Sequence, residues 1–193
     1  MASKPIESRS DYVIALGGNL PSGVGDPAAT LTSAVAALTE ARGVIRAVSR
    51  FYATPCFPAG AGPDFVNAAV LLSSPLDPEE LIALLHRIEA RFGRKRSQRW
   101  AGRTLDLDLL AAGDRVLPDA ATQAAWRNLP PAEQAGRAPD RLIVPHPRLQ
   151  DRGFALVPMR DVAPDWVHPL LHISVSAMCD ALPPAELAQI HVI

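Results

Sequence analysis

The chain has 193 residues, of which 48% are hydrophobic and 20% are charged, and its formal net charge at pH 7 is −1. A chain of this length suits one domain, and this hydrophobic share can build a core without disulfides or structural metal ions. A net charge near zero argues against a protein that binds nucleic acid through a broad basic surface. The two cysteines, Cys56 and Cys179, match no metal-ligand spacing, so we expect free thiols in a reducing compartment.

The N-terminal segment is polar and of mixed charge, and it lacks the apolar stretch of a signal peptide. No apolar run in the chain approaches the roughly 20 residues that a membrane-spanning helix requires. We therefore predict a cytoplasmic protein, with a flexible tail over residues 1–10 and a single domain over residues 11–193.

The first half of the chain predicts a strand, a helix and two further strands. Tyr12–Leu16 is a short apolar run that ends at two glycines, as a buried strand running into a turn does. Asp26-Pro27 precedes an alanine-rich stretch and predicts a helix over residues 28–41. Val44–Ala53 and Asp64–Leu72 are rich in residues that favour strands, and a proline-rich loop separates them.

The second half begins with another helix and another strand. Residues 78–92 follow a capping-box pattern and carry apolar side chains at helical spacing, which predicts a helix. Thr104–Leu110 predicts a strand, because polar and apolar residues alternate from Thr104 to Leu109. Residues 113–140 have no clear period, and we interpret them as a surface insertion. Leu149–Met159 predicts a short helix, and the chain after Pro164 has no assignment.

The order strand, helix, strand, strand, helix, strand is that of a ferredoxin-like βαββαβ core. We therefore predict an α+β fold in which the helices pack on one face of a largely antiparallel sheet.

The last strand of this core carries two carboxylates on one face. Successive side chains of a strand point to opposite faces, so Leu105, Leu107 and Leu109 face the core while Asp106 and Asp108 share the other side, roughly 7 Å apart. Two carboxylates so placed repel each other in an apolar setting. A divalent cation between them removes the repulsion and leaves coordination positions for phosphate oxygens. Taken alone, the pattern also fits a strand with an ordinary solvated face.

A basic stretch precedes the acidic pair. A charge run is often only a solvated face. An anion that carries a metal needs both partners, however, carboxylates for the cation and guanidinium groups for the phosphate oxygens, as a magnesium nucleotide does. Trp100 lies inside this stretch and could stack on a base or anchor the loop. No P-loop sequence is present, so a polyphosphate site must be built another way. The basic residues are Arg87, Arg91, Arg94, Lys95, Arg96, Arg99 and Arg103.

A set of motifs follows in order through most of the chain. They are Ala15–Leu20, Ser49–Pro55, Pro63–Val70, Arg87–Glu89, Gly93–Arg96, Arg99–Asp108, Val144–His146 and Arg152–Phe154. In these motifs the chain resembles the 6-hydroxymethyl-7,8-dihydropterin pyrophosphokinase family, whose members transfer pyrophosphate from ATP in folate biosynthesis. The family's ferredoxin-like α+β core agrees with the predicted order of elements.

The resemblance implies roles on the nucleotide side of the site. Asp106 and Asp108 would bind two Mg²⁺ ions that bridge the phosphates of ATP. Further side chains would neutralise the phosphates or belong to a mobile catalytic loop over residues 93–103. Those assigned to catalysis are Arg94, Arg96 and Arg103, and those assigned to ATP binding also include Trp100, His146 and Arg152.

The resemblance also implies a pocket for the pterin. The ring system would lie between Phe65 and Phe154, with Asn67 hydrogen-bonding its edge. Groups around Thr54, Pro55 and Phe57 would complete the pocket. The binding partners would be ATP and the pterin, with no nucleic acid and no membrane. We expect a monomer.

A few positions depart from the family pattern. Phe65 stands where a tyrosine is frequent, His86 where a glutamine is common, and Pro147 where a tyrosine can occur. The first change removes a ring hydroxyl and keeps the stacking surface, while the other two affect contacts on the adenine side.

The implied reaction is attack of the acceptor's hydroxymethyl oxygen on the β-phosphorus of ATP, with AMP as the leaving group. It requires in-line positioning and electrostatic stabilisation, and no side chain stands out as a necessary general base. Two alternatives remain. One is a metal-dependent D-x-D nucleotidyl- or glycosyltransferase, and the other is a non-catalytic nucleotide- or RNA-binding module of ferredoxin-like shape.

Overall fold

The computed structural model describes residues 8–56, 62–94, 102–130, 133 and 136–193. At its centre is an antiparallel sheet with strand order β5-β1-β4-β3-β6, in which β2 also pairs with β4. The strands are β1 (Ser10–Gly18), β2 (Val44–Val48), β3 (Tyr52–Thr54), β4 (Phe65–Ser74), β5 (Asp106–Ala112) and β6 (His191–Val192). The α-helices are α1 (Pro27–Ala37), α2 (Pro78–Arg91), α3 (Ala120–Arg127), α4 (Gly153–Val162), α5 (Val175–Asp180) and α6 (Pro184–Leu187), with 3-10 turns at Leu38–Ala41 and Leu149–Asp151.

Helices α1 and α2 cover one face of the sheet. Ile14 of β1 and Val70 of β4 are buried there with Leu31 of α1 and with Leu85 and Ile88 of α2. Both helices begin at a proline that follows an aspartate cap, and α2 has the full capping box. These two helices therefore form where the sequence predicted them.

Helices α4 and α5 cover the opposite face. Val13 of β1 and Leu110 of β5 are buried in a second core, together with Leu156 of α4 and Met178 of α5. The prediction that the helices pack on one face is therefore wrong. The central strands are buried on both sides, which explains why β4 and the second half of β5 are nearly continuous apolar runs.

The predicted strand over residues 44–53 is two strands. Between β2 and β3, the backbone N–H of Ala69 in β4 donates to the Ser49 hydroxyl at 2.8 Å, and the backbone N–H of Arg50 donates to Asp161 in α4 at 3.1 Å. The Ser49 N–H still donates to the Ala69 carbonyl at 2.9 Å, so side chains take over only part of the hydrogen bonding at this break.

The stretch that we interpreted as an insertion contains α3. Asp119 caps this helix, and Gln123 is buried with its amide donating to the carbonyl of Pro145 at 3.2 Å. No helix among the described residues is long and apolar enough to cross a membrane. The predicted tail over residues 1–10 lies mostly outside the described part of the chain.

Candidate active site

One row of residues runs across three neighbouring strands. Gly17 of β1 lies opposite Asn67 of β4 on one side and opposite Asp106 of β5 on the other. A Cβ atom at Gly17 would lie 3.0 Å from Asn67 Oδ1, so the glycine leaves the space between amide and carboxylate open. Because neighbouring strands are about 4.8 Å apart, the Cα atoms of Asn67 and Asp106 lie roughly 10 Å from each other.

The row lies on the face of the sheet that α4 covers. Side chains two residues apart share a face, and Ala69 and Leu110 belong to the core beneath α4. Asn67 and Asp108 therefore point to that side. The alternation predicted for the acidic pair is confirmed, since Leu105, Leu107 and Leu109 are buried in the core beneath α1 and α2.

Asp106 is held by two arginines. Its side chain is 16% exposed, with one carboxylate oxygen 2.5 Å from Arg94 Nη1 and the other in contact with the guanidinium group of Arg103. Burial raises the pKa of Asp106, and the neighbouring charge of Asp108 raises it further, whereas Arg103 and Arg94 lower it. Asp108 is 43% exposed and lies 4.0 Å from Arg152.

Glu89 is a buried carboxylate that sequence reasoning did not assign to the site. It lies in the last turn of α2, is 1% exposed and contacts Arg94. Its Oε1 atom also accepts the backbone N–H of Leu107, between the two aspartates, at 2.8 Å. Glu89 therefore connects the end of α2 to the acidic strand and orients Arg94. The available signal was its position beside Ile88 on the inward side of α2.

Arg103 is fixed through its backbone. Its N–H donates to Asn19 Oδ1 at 2.8 Å, and its carbonyl accepts the backbone N–H of Asn19 at 2.9 Å. A Cβ atom at Gly18 would lie 2.6 Å from the carbonyl oxygen of Thr104, so only glycine allows this close approach. The end of β1 thus sets where Arg103 leaves the backbone next to Asp106.

His146 and Arg152 lie beside the acidic pair. The backbone N–H of His146 donates to Leu110 in β5 at 2.9 Å, and its Nδ1 atom accepts the N–H of Arg148 at 3.1 Å. Burial lowers the pKa of His146 to about 3, and the positive charges of Arg152 and Arg148 act in the same direction. The ring is therefore neutral at pH 7, and its proton is on Nε2.

Four of the predicted pterin residues, Thr54, Pro55, Phe65 and Asn67, lie at the adjacent ends of β3 and β4. Thr54 pairs with Phe65, and the amide nitrogen of Asn67 donates to Thr54 Oγ1 at 2.8 Å. Pro55 follows β3 and lines a cleft with Thr54 and Asp64. Phe154 lies in the first turn of α4, is 41% exposed and has the Arg152 guanidinium 5.6 Å from its ring centre.

Three of the predicted site residues lie outside the described part of the chain. They are Phe57, Arg96 and Trp100.

The carboxylates suit a hard cation with few protein ligands. Among the described residues, no group of three or more His, Cys, Asp or Glu side chains could hold a metal ion. Mg²⁺ usually takes one or two protein carboxylates and completes its octahedron with water and phosphate oxygens. The mutual repulsion of Asp106 and Asp108 is also what a cation would relieve. The residues present therefore fit magnesium bound together with a phosphate ligand.

Carboxylates next to guanidinium groups, as at Asp106, Arg94 and Arg103, are the combination that a metal-bound anion requires. The family model described as 7,8-dihydro-6-hydroxymethylpterin-pyrophosphokinase (HPPK) matches residues 13–164. The chain therefore belongs to the 7,8-dihydro-6-hydroxymethylpterin-pyrophosphokinase family.

Individual relatives agree with this assignment. The chain is 39% identical over 158 residues to a 2-amino-4-hydroxy-6-hydroxymethyldihydropteridine pyrophosphokinase of Synechocystis, covering 81% of this chain and 68% of that protein. It is 36% identical to the protein of the same name from Methylorubrum extorquens, covering 77% of this chain and 82% of that one.

Solved structures share the fold. A Plasmodium falciparum HPPK-DHPS triple mutant superposes with a TM-score of 0.65 at 14% identity over 91% of this chain. The match covers 44% of that longer chain, so this protein spans less than half of it.

Proposed function

We propose that this protein transfers pyrophosphate from ATP to 6-hydroxymethyl-7,8-dihydropterin, releasing AMP, in folate biosynthesis. The observation that carries the proposal is the row formed by Asn67, Gly17 and Asp106. It sets a carboxamide suited to a pterin edge at a fixed distance from a carboxylate suited to a metal-bound triphosphate, with open space between them.

On the nucleotide side, Asp106 and Asp108 would hold two Mg²⁺ ions with the phosphates of ATP. When bound, the ions neutralise phosphate charge and align the transferred group with the acceptor. Arg94 and Arg103 pair with Asp106, so their guanidinium charges would lie beside the phosphates that the metal ions hold. Arg96 and Trp100, in the sequence between α2 and β5, are proposed to act with them.

Arg152 and His146 would contact the phosphates from the other side. Arg152 lies 4.0 Å from Asp108 and brings a positive charge to the exposed end of the acidic pair. Neutral His146 carries its proton on Nε2, because Nδ1 already accepts a backbone N–H. It is therefore suited to donate a hydrogen bond to a phosphate oxygen and is not suited to act as a general base.

On the acceptor side, Phe65 and Phe154 would stack on the two faces of the pterin. Flat rings bind between aromatic faces at low entropy cost. The Asn67 carboxamide would pair with the pterin's polar edge, and its bond to Thr54 fixes the orientation of the amide. Pro55 and Phe57 are proposed to close the pocket.

The chemical step is a substitution at the β-phosphorus, and it transfers the β- and γ-phosphates together. The hydroxymethyl oxygen of the acceptor forms a bond to the β-phosphorus while the bond from that phosphorus to the bridging α–β oxygen breaks. AMP leaves with the bridging oxygen, and the hydroxyl proton passes to solvent. Positioning and charge stabilisation supply the rate enhancement, so no side chain has to accept this proton during bond formation.

The strand order also supports a finer description of the fold. We propose that β1, α1, β2 with β3, β4, α2 and β5 form the ferredoxin-like unit, since β1 lies between β4 and β5 as that motif requires. Residues 113–140, α4, α5 and α6 are additions within a single domain, which we expect to be monomeric.

The nucleotide formed from ATP identifies the reaction. Purified protein is incubated with ATP, Mg²⁺ and 6-hydroxymethyl-7,8-dihydropterin, and the nucleotides are separated by chromatography. We expect AMP, formed only when the pterin is present. Pyrophosphate or a nucleoside diphosphate as product would indicate the D-x-D transferase instead. Binding of ATP without turnover, in protein shown to be folded, would indicate a non-catalytic module.

A further inference from the structure

The last residues of the described chain complete the acceptor side of the sheet. In β6, His191 lies opposite Ala53 and Val192 opposite Tyr52 of β3. The backbone N–H of Ile193 also donates to the carbonyl of Phe51 at 3.0 Å. The segment thus extends the sheet beside Thr54, next to the residues proposed to bind the pterin.

The C-terminal segment, residues 184–193, also supplies a cap for helix α4 that the residues next to α4 do not supply. Arg152 occupies the N-cap position of α4 but makes no side-chain capping bond. Instead, the backbone N–H of Gly153 donates to Oε1 of Glu186, in α6, at 2.9 Å. A carboxylate at this position satisfies an N–H that the helix leaves unpaired and lies at the positive end of its dipole.

The contact is close enough to exclude a side chain at Gly153. A Cβ atom there would lie 2.5 Å from Glu186 Oε1 and 3.1 Å from Ile190 Cδ1. Two residues of the C-terminal segment therefore cover the backbone of Gly153 directly. This close packing explains why the position is a glycine.

The residues on either side of Gly153 are those proposed to meet the two substrates. Arg152 reaches to 4.0 Å from Asp108, and its guanidinium group lies 5.6 Å from the Phe154 ring centre. The Phe154 side chain is 41% exposed and belongs to neither of the two hydrophobic cores. Its direction is therefore set mainly by the backbone of the first turn of α4.

We infer that Glu186 is a positioning residue that orients Phe154, and with it Arg152, by holding the backbone N–H of Gly153. The inference rests on the proposed function only for the identity of the ligand that Phe154 meets. Glu186 lies in α6, behind the backbone of Gly153, and acts through that backbone.

Equilibrium binding of 6-hydroxymethyl-7,8-dihydropterin, in the presence of Mg²⁺ and a non-hydrolysable ATP analogue, tests this role without requiring turnover. Without this carboxylate the Gly153 N–H loses its acceptor, and the first turn of α4 can leave the orientation that places Phe154 and Arg152. We expect Glu186→Ala to raise the Kd for the pterin about fivefold. Glu186→Gln retains an acceptor oxygen and should stay within about twofold of the parent protein.

The matched control is Asp119→Ala. Asp119 caps α3 through a hydrogen bond from the N–H of Thr122 at 2.8 Å and is not part of the proposed site. Asp119→Ala should lower Tm about as much as Glu186→Ala does and should leave the Kd for the pterin unchanged. If Glu186→Ala does not fold, Glu186→Asp takes its place, because the shorter side chain withdraws the carboxylate from the N–H.

The outcomes distinguish failure of the positioning role of Glu186 from failure of the proposed function. An unchanged Kd in folded Glu186→Ala, or an equal rise in Asp119→Ala, would overturn the positioning role while the parent protein still produced AMP. Failure of the parent protein to bind the pterin would instead count against the proposed function. A raised Kd in Glu186→Ala with recovery in Glu186→Gln supports the inference.

Discussion

Asn67 and Asp106 stand in one row on the same face of the sheet, separated only by the backbone of Gly17. The distance between the proposed acceptor site and the proposed metal site is thus set by strand pairing, which is stiffer than a loop. The hydrogen bond from Asn67 to Thr54 and the ion pairs of Asp106 with Arg94 and Arg103 fix the two ends.

A side chain at Gly17 should therefore disturb catalysis without unfolding the protein. In Gly17→Ala the new methyl group would lie 3.0 Å from Asn67 Oδ1 and push the amide aside. We expect kcat/KM for the pterin to fall about tenfold, since one misplaced hydrogen bond is worth roughly 1–2 kcal/mol. Steady-state kinetics measure this. Gly23→Ala is the control, because a Cβ atom there meets nothing within 4 Å, and equal losses in both variants would contradict the account.

Removal of the more exposed carboxylate should abolish turnover and leave the fold intact. Asp108 is 43% exposed and lies 4.0 Å from Arg152, so Asp108→Ala breaks little structure. We expect kcat to fall by about 10³ or more, as losses of charge-stabilising groups do, with Tm changed by little. Asp140→Ala, at a side chain 82% exposed, is the control. Near-normal activity of Asp108→Ala over a magnesium titration would eliminate the metal assignment.

The buried carboxylate of Glu89 should matter for both stability and rate. Glu89→Gln keeps the size of the side chain but loses the ion pair with Arg94. Removing one partner of a buried pair costs about 3–5 kcal/mol when the other charge is left alone. Arg94 keeps its ion pair with Asp106, so we expect urea unfolding to show a smaller loss, about 1–3 kcal/mol. The rate should also fall, because Arg94 loses one of the two carboxylates that orient it. Glu79→Gln, at an exposed position on the same helix, should change neither quantity.

Stability should decrease in mild acid because of His168. This side chain is fully buried, its Nδ1 atom accepts the N–H groups of Leu170 and Leu171, and burial lowers its pKa to about 4. The unfolded chain, with a pKa near 6.5, binds more protons than the folded protein between pH 6.5 and 4. The free energy of unfolding should therefore fall as the pH drops through this range.

The measurement for His168 is urea unfolding at several pH values. The contribution of one such group approaches about 1.4 kcal/mol per pH unit. His168→Asn offers an acceptor oxygen close to the position of Nδ1 and does not titrate, so its stability should depend less steeply on pH. Parallel profiles for the two proteins between pH 6.5 and 4 would show that His168 is not responsible.

Much of the fold could be predicted from local patterns. The capping box before α2 and the alternation around Asp106 and Asp108 depend on residues within one element, and both are confirmed. The arrangement of helices on both faces could not be predicted in the same way. Helices α5 and α6 are short, and the chain around them lacks the repeated apolar spacing that identifies α2.

The site was harder to predict than the fold because its relationships connect distant parts of the chain. The pairing of Gly17 with both Asn67 and Asp106 is a property of the folded sheet, and no spacing in the sequence expresses it. Helical periodicity identifies buried positions by their apolar residues. It does not reveal Glu89, because this buried position holds a carboxylate. The bond from Gly153 to Glu186 likewise joins two segments that share no motif.

The fate of the β-phosphate tests the central claim most directly. ATP labelled at the β-phosphorus is incubated with the protein, Mg²⁺ and 6-hydroxymethyl-7,8-dihydropterin, and the label is followed together with the amount of AMP. The account predicts that the label moves to the pterin product in a one-to-one ratio with AMP. Label that stays on the nucleotide, or that is released as free pyrophosphate without a labelled pterin, would contradict it.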